Sequence, residues 1–414
     1  DDDVADDDDT AAPRIRLMLH GGGAEDDDLY GRFVAAAGNG HMVTLGAVED
    51  PGSYPDLLFW DGYFVQLGAS SAQTLNTEGP ADAQPQEVIV ALASADGIYI
   101  RGGDQSRYLD HWTGTPLHEG LREAWDRGAV IGGSSAGCAL LGERVYDARV
   151  GSVAAYEALL DPQDPYITFT DGFLEALPGV ISDTHFTERG RVGRLAVFVE
   201  RWKADGAAAP LGVGVDPMTA LFIYSDGTAE VAGDGSVTLV DASASTATLA
   251  SGRPPDIRGQ RLWQLPSGYR VDLGALPGGD PVLQRPGYAT EWTGWEPLAG
   301  GFASQALDGD RSPHRTLGDW QLDGLESHAD AWRDGDLTLS AGTGALPGIL
   351  LVTALYEDSD YYENHLGGMA WALAQHPETV VVGLDAYLTA SAAPPATLTA
   401  AADSYLLILD GRSM

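Results

Sequence analysis

The chain has 414 residues, 44% of them hydrophobic, which gives room for a sizeable core and two or three domains. Its 61 acidic residues against 23 basic ones leave a net charge of -38, which repels phosphate backbones and anionic lipid and argues against nucleic-acid binding. No apolar run reaches the roughly 18 residues of a membrane span. Lys203 is the only lysine, so cationic chemistry falls to arginine; a high-salt, acid-coated surface and a GC-rich genome both account for that bias. A single cysteine, Cys138, excludes an internal disulfide framework and reads as a small buried apolar residue. The nine histidines show no ligand spacing with acids or cysteine, so neither a metal nor a cofactor is expected.

Residues 1–13 open with Asp1-Asp2-Asp3 and Asp6 to Asp9 and read as a disordered acidic tail. With no initiator Met before it, the tail suggests a processed export signal or a trimmed end. A secreted or cell-surface protein is expected, with the cytoplasm as the alternative. Arg14 to His20 then alternates and turns apolar before Gly21-Gly22-Gly23, predicting a first strand and a glycine loop. No Lys-Ser/Thr follows, so a phosphate cradle is disfavoured and His20 reads as a structural histidine. Further short strands are expected at His41 to Leu45, Phe64 to Leu67 and Gly97 to Ile100, with helices or loops between them. That alternation predicts an α/β fold with a mainly parallel sheet, whose sites form beyond the carboxyl ends of the strands. Arg101-Gly102-Gly103-Asp104-Gln105 lies in such a loop, and Leu117 to Arg127 predicts an amphipathic crossover helix.

An apolar run then reaches Gly132-Gly133-Ser134-Ser135-Ala136-Gly137, a pattern suited to a nucleophile elbow. A serine on a sharp strand-to-helix turn projects its hydroxyl from the sheet edge, and small neighbours let a carbonyl approach. An ordinary Gly/Ser turn is the plain alternative. Downstream, Leu177 to Ser182 predicts a strand ending at Asp183-Thr184-His185-Phe186. A neutral His185 within reach of Ser135 could take the hydroxyl proton and return it to a leaving amine. Arg189, Arg191 and Arg194 are conspicuous in so acidic a chain and carry guanidinium forks suited to carboxylates. Gly212 to Tyr224 predicts a strand, a turn and a strand, with a β meander at Asp226-Gly227 and Asp234-Gly235. The Pro/Gly/Arg-rich stretch 251–290 reads as a linker, followed by a smaller C-terminal α/β or β-rich domain over 291–414.

Taken in order, the Gly103-Asp104-Gln105 loop, the Ser-Ala-Gly elbow and the Asp-x-His-Phe-x-x-Arg-Gly-Arg-x-Gly-Arg-Leu run resemble the cyanophycinase and dipeptidase E family of serine peptidases over roughly residues 14–250. The resemblance implies a three-layer, class I glutamine amidotransferase-like (flavodoxin-like) α/β/α fold. It also implies Ser135 as nucleophile, His185 as base, and the amides of Gly103 and Ala136 as the oxyanion hole. Gln105, Asp183, Arg189, Arg191 and Arg194 match positions that hold the substrate, a polyamide rich in Asp and Arg. Two departures stand out. Thr184 replaces the usual Gln before the histidine, and Pro217 occupies the place of the expected acid in Gly214-Val215-Asp216-Pro217-Met218-Thr219-Ala220. Asp216 is the replacement available nearby, provided the turn is rebuilt, because neighbouring strand residues point to opposite faces.

A second copy is also legible. Ala176-Leu177-Pro178-Gly179 recurs as Ala345-Leu346-Pro347-Gly348, Gly193-Arg194-Leu195-Ala196 is echoed at Gly367-Gly368-Met369-Ala370, and Gly214-Val215-Asp216 recurs as Gly383-Leu384-Asp385. Equal spacings suggest a degenerate partial duplication. The position of His185 falls near Ala354, and Ser340-Ala341-Gly342 is only a faint echo of the elbow. The copy is therefore expected to be catalytically dead, with the chain a homodimer or an internal pseudo-dimer. The expected activity is exopeptidase cleavage of β-aspartyl-arginine linkages in a cyanophycin-like polymer. Alternatives are an aspartyl or isoaspartyl dipeptidase, or an impaired binding or structural protein on the same fold.

Overall fold

The computed structural model describes residues 12–47, 59–276, 279 and 281–284, then the strands of 296–410 with a few residues between them. Residues 1–11 of the expected acidic tail, and Ala354, Gly367, Gly368, Ala370 and Asp385 of the expected second copy, lie outside the described residues. Five parallel strands form the heart of a nine-stranded sheet: β1 (Ile15–His20), β2 (His41–Ala47), β3 (Ser71–Thr77), β4 (Gly97–Ile100) and β5 (Val130–Ser134), in the order β3-β2-β4-β5-β1. Antiparallel β10 (Thr219–Tyr224), β11 (Thr228–Gly233), β16 (Arg270–Asp272) and β17 (Val282–Gln284) extend it beyond β1.

Local chemistry sets the crossovers. Helix α1 (Asp27–Ala36) starts where the Asp26 carboxylate accepts from the Asp28 and Leu29 amides. Helices α2 (Phe59–Gln66), α3 (Gln86–Ser94) and α4 (Gln105–Trp112) follow, the last capped by Asp104. Helix α5 (Pro116–Arg127) is capped by Thr115, has proline in its first turn and stops at Gly128, whose φ of 102° suits glycine. The strand expected at Phe64–Leu67 is instead the end of α2. Trp60, Tyr63 and Phe64 stand at helical spacing, and their rings pack with Tyr30 and Tyr99. The strand itself comes later, at Ser71–Thr77, because a short apolar run cannot be told from a buried helix by periodicity.

A second sheet of six strands has the order β15-β12-β9-β8-β6-β7. Its members are β6 (Gly142–Tyr146), β7 (Phe169–Asp171), β8 (Leu177–Thr184), β9 (Leu211–Val215), β12 (Ser236–Asp241) and β15 (Arg261–Pro266), with a small ribbon of β13 (Thr246–Thr248) and β14 (Asp256–Arg258). Strands β6, β8 and β9 are parallel, and the others antiparallel. Residues 251–290 are therefore not a plain linker. Within them β15 completes the second sheet, and β16 and β17 continue the first. Helices α6 (Ala136–Ala139), α7 (Ala155–Leu160) and α8 (Val192–Ala204) complete this part.

The period of the strands divides the interior. On β1, Met18 enters an aromatic layer with Tyr30, Phe33 and Tyr99, whereas Leu17 and Leu19 face the central core. Val213, Val215, Val237 and Leu239 from the second sheet enter the same central core, so the two sheets share it. Each such side chain contributes about 1.5–3 kcal/mol by burial. That shared core brings the carboxyl ends of β1, β4, β5, β8 and β9 together.

Beyond this lie β18 (Glu296–Pro297), β19 (Ala306–Asp308), β20 (Gly318–Asp323), β21 (Thr338–Ala341), β22 (Leu346–Thr353), β23 (Val380–Leu384), β24 (Thr389–Ala393), β25 (Thr397–Ala400) and β26 (Leu407–Asp410). They form a six-stranded sheet, β18-β26-β23-β22-β20-β21, and a three-stranded one, β19-β24-β25. No helix among the described residues is long and apolar enough to cross a membrane.

Candidate active site

Backbone bonds lock the loops after β1, β5, β8 and β9 to one another. The Ser135 amide donates to the His20 carbonyl (3.1 Å), the His185 amide to Gly21 O (2.8 Å) and the Met218 amide to Gly22 O (2.8 Å). Ser135 (φ 51°, ψ -119°), His185 (φ 48°) and Met218 (φ 52°) all hold positive φ, a strain that non-glycine residues bear only where the surroundings enforce it. Gly22 is required by contact as well as by its φ of 101°, since a Cβ there would lie 2.3 Å from His185 Nε2. A Cβ on Gly137 would meet the Ile100 carbonyl at 2.0 Å, which explains the small residues behind the elbow.

Within this frame Ser135 Oγ lies 3.1 Å from His185 Nε2, and His185 Nδ1 lies 2.7 Å from Glu188 Oε2. The carboxylate is an acceptor, so it fixes the ring proton on Nδ1 and leaves Nε2 to accept from the serine hydroxyl. Burial lowers the pKa of His185; the bond to Glu188 opposes that shift, and Arg189 and Arg191 add to it. Burial pushes Glu188 up, but the hydrogen bond to His185 and the nearby cations bring it below the ordinary range.

Asp216 does not stand behind the histidine. Its buried carboxylate accepts from the Thr187 amide (2.9 Å), the Ser236 amide (2.9 Å) and the Ser236 hydroxyl (2.6 Å), tying the histidine loop to β12. Burial raises its pKa against those bonds. The carboxylate that does lie behind the ring is that of Glu188, three residues past a histidine held at positive φ. Sequence reasoning does not single out Glu188. The available signal was a carboxylate at that offset, beside an arginine, in a chain whose usual acid position holds Pro217.

A pocket of about 270 Å³ opens beside Ser135, lined by Gly103, Ala136, Gln105, Asp183 and the three arginines among others. Gly103 and Ala136 flank the serine, and a Cβ on the adjacent Gly102 would lie 3.3 Å from Ser135 Cβ. Gln105 Nε2 donates to the Tyr146 carbonyl (3.2 Å), fixing that side chain at the pocket edge. Asp183 and Arg194 form a buried bidentate pair (2.7 and 2.8 Å), with the Arg194 guanidinium also bonded to Ser152 Oγ and Val153 O and placed over Tyr146. Arg191 bonds Thr184 O (2.8 Å) and reaches Asp183 (3.4 Å). Burial raises the Asp183 pKa, yet the two guanidiniums outweigh it and keep the carboxyl below its ordinary range. One buried carboxylate thus lies between two arginines, and the pocket lining sets Arg189, Arg191 and Arg194 against Asp183 and Asp104.

Beneath the elbow, Gly22 N donates to His20 Nδ1 (3.3 Å), so the Ser134 hydroxyl, 2.9 Å away, donates to that nitrogen too. Burial and the nearby His185 lower His20 to about 4, consistent with a neutral structural histidine. Cys138 is fully buried, and desolvation pushes its thiol well above the ordinary range. No group of three or more His, Cys, Asp or Glu residues that could hold a metal occurs among the described residues.

A serine on a strained strand-to-helix turn, a histidine within hydrogen-bond reach and a carboxylate behind that histidine make an arrangement in which a hydroxyl can be activated. The model of peptidase family S51 matches residues 60–206. A cyanophycinase from Synechococcus elongatus is 33% identical over 234 residues, covering 54% of this chain and 68% of the relative. One from Geminocystis herdmanii is 29% identical over 263 residues, covering 61% and 91%. A crystal structure of a peptidase from an acI-B1 Actinobacterium aligns with 63% of this chain and 97% of its own at 22% identity and a TM-score of 0.43. The chain belongs to peptidase family S51.

Proposed function

We propose that the chain is a serine exopeptidase that hydrolyses β-aspartyl-arginine linkages of a cyanophycin-like polymer, with Glu188 as the orienting acid. The hydrogen-bond chain Ser135–His185–Glu188 beside an arginine-lined pocket carries this reading. His185 Nε2 takes the Ser135 proton as Oγ attacks the β-amide carbonyl. The developing oxyanion receives the amides of Gly103 and Ala136. His185 then gives its proton to the departing α-amine, breaking the C–N bond and leaving an ester on Ser135. Water, deprotonated by the same imidazole, attacks the ester and releases the aspartyl carboxylate with the serine proton restored. Arg189 and Arg191 on the pocket wall suit a free carboxylate of the aspartyl residue, and Asp183 and Arg194 hold that wall in place.

Chromatographic comparison of β-Asp-Arg oligomers with α-linked Asp-X dipeptides tests the reading. Release of free arginine from the oligomers that disappears in Ser135→Ala is expected. Preferential cleavage of Asp-X would make the chain an aspartyl dipeptidase. No cleavage of either, with Ser135→Ala behaving as the parent, would sink the enzymatic reading.

A further inference from the structure

The strands of 296–410 repeat the geometry of the second sheet and of the β1–β10–β11 unit. The orders β15-β12-β9-β8-β6-β7 and β18-β26-β23-β22-β20-β21 correspond from β12 and β26 onward, each with two parallel pairs in the middle and antiparallel neighbours outside; β18 takes the edge place of β15 but comes from a different point of the chain, ahead of β19. The register is conserved as well. The shift of 169 positions that takes Val180↔Leu211 to Ile349↔Val380 also takes Leu211↔Asp241 to Val380↔Asp410 and Leu221↔Val231 to Ala390↔Ala400. Even the irregularity repeats: Gly142↔Leu177 then Arg144↔Ile181 in one sheet, Gly318↔Leu346 then Trp320↔Leu350 in the other. Gly179 and Gly348, related by the same shift, hold φ of 74° and 75°. A one-residue slip would reverse every side chain, so agreement over four strand pairs reflects common descent.

What the copy lacks is equally specific. From His20 at the end of β1 to Gly142 at the start of β6, the first copy inserts β2 to β5 with their helices, including the elbow; from Asp308 to Gly318 there is no room for them. Ser135 therefore has no counterpart. The echo at Gly367-Gly368-Met369-Ala370 puts Gly368 where the first copy has Arg194.

The two copies meet through like surfaces. Edge strand β15 lies against β18, which fills the same edge place in its own sheet, so the places on either side of that junction run in mirrored order. One buried cluster holds Ile181 with Leu195 and Trp202 of α8, and also Leu350, Val381 and Leu373. Leu350 is the positional counterpart of Ile181, and Val381 that of Gly212. A surface and its own counterpart packed together make an isologous contact, the signature of two-fold association.

We propose that residues 296–410 are a built-in partner subunit: a degenerate second copy, stripped of its chemistry, that fills the two-fold association face of the peptidase unit and makes the chain a single-site monomer. Charge agrees, since two chains of net charge -38 repel each other, whereas a covalent partner need not be recruited.

The test uses the full chain and no substrate, so it stands or falls apart from the peptidase reading. Sedimentation over a wide concentration range is expected to give the mass of one chain; a stable dimer would overturn the proposal. Leu350→Asp, which places a charge in the shared cluster, is expected to expose the face and produce concentration-dependent dimers. The milder Leu350→Ala, read by hydrogen exchange, covers the case in which the charged variant does not fold. Amides of α8 should exchange ~10-fold or more faster while β5 keeps its protection. Unchanged protection of α8 would show that the C-terminal copy does not cover that face.

Discussion

The loop that follows β8 and the turn that follows β9 each carry an acid, and the one behind the histidine is not Asp216, the one expected there. In the first, Glu188 is half-buried with its carboxylate 2.7 Å from His185 Nδ1, close enough to polarise the ring. In the second, Asp216 is buried and satisfied by three donors that stitch Thr187 to Ser236. An acid that orients a catalytic ring must lie in line with one nitrogen, whereas an acid that ties loops together needs donors on several sides. The β9–β10 turn supplies the second environment, and Pro217 at its corner removes the first.

Removing the group on which both regions converge gives the largest expected effect. His185→Ala should lower kcat on β-Asp-Arg by ~10⁴–10⁶-fold, as loss of a general base does in triad hydrolases. Glu188→Gln keeps the shape and a hydrogen-bond acceptor but loses the charge; kcat should fall ~10²–10⁴-fold, as for other orienting acids, with little change in melting temperature. If Asp216→Asn produced that drop and Glu188→Gln did not, the roles given to the two acids would be reversed. Asp216→Asn should instead act on stability, since its amide group would confront the Ser236 donor. A loss of about 1–3 kcal/mol in denaturant unfolding is expected, with kcat retained in the folded fraction.

The smallest effect is on pH dependence and separates the two regions without disabling either. His185 acts neutral, and burial lowers its pKa, so kcat/KM should rise with pH to a plateau through a midpoint below about 6.5. Glu188 raises that pKa by favouring the imidazolium. Residual activity of Glu188→Gln should therefore show its midpoint displaced to lower pH, whereas Asp216→Asn should leave it in place. A rise in the midpoint on loss of Glu188 would contradict the pairing.

The legible parts of the sequence were those in which one short segment dictates its own geometry. Gly132 to Gly137 could form little else than a tight turn with small residues behind a serine. His185 and the arginines were marked by a dense run, and Leu177–Gly179 announced its repeat at Leu346–Gly348. The acid was not legible because its place depends on positive φ at His185, set by contacts from Gly21 and Gly22 more than 160 residues earlier. Asp183 and Arg194 are substrate-holding positions by the family resemblance, but the fold engages them with each other in a buried bidentate pair. Phe64 was misassigned because aromatic residues suit both a strand and the buried face of α2. The strands of 251–290 were hidden by Pro and Gly at their ends, which mark edges as readily as linkers.

The single cysteine of the chain is sealed beneath the elbow, with its thiol held protonated. The native protein is therefore expected to stay unlabelled by maleimides and iodoacetamides at neutral pH. A cysteine placed anywhere on its surface becomes a unique handle for a fluorophore or a spin label. Distances between the working peptidase unit and its C-terminal half can be measured in solution without first removing a native thiol.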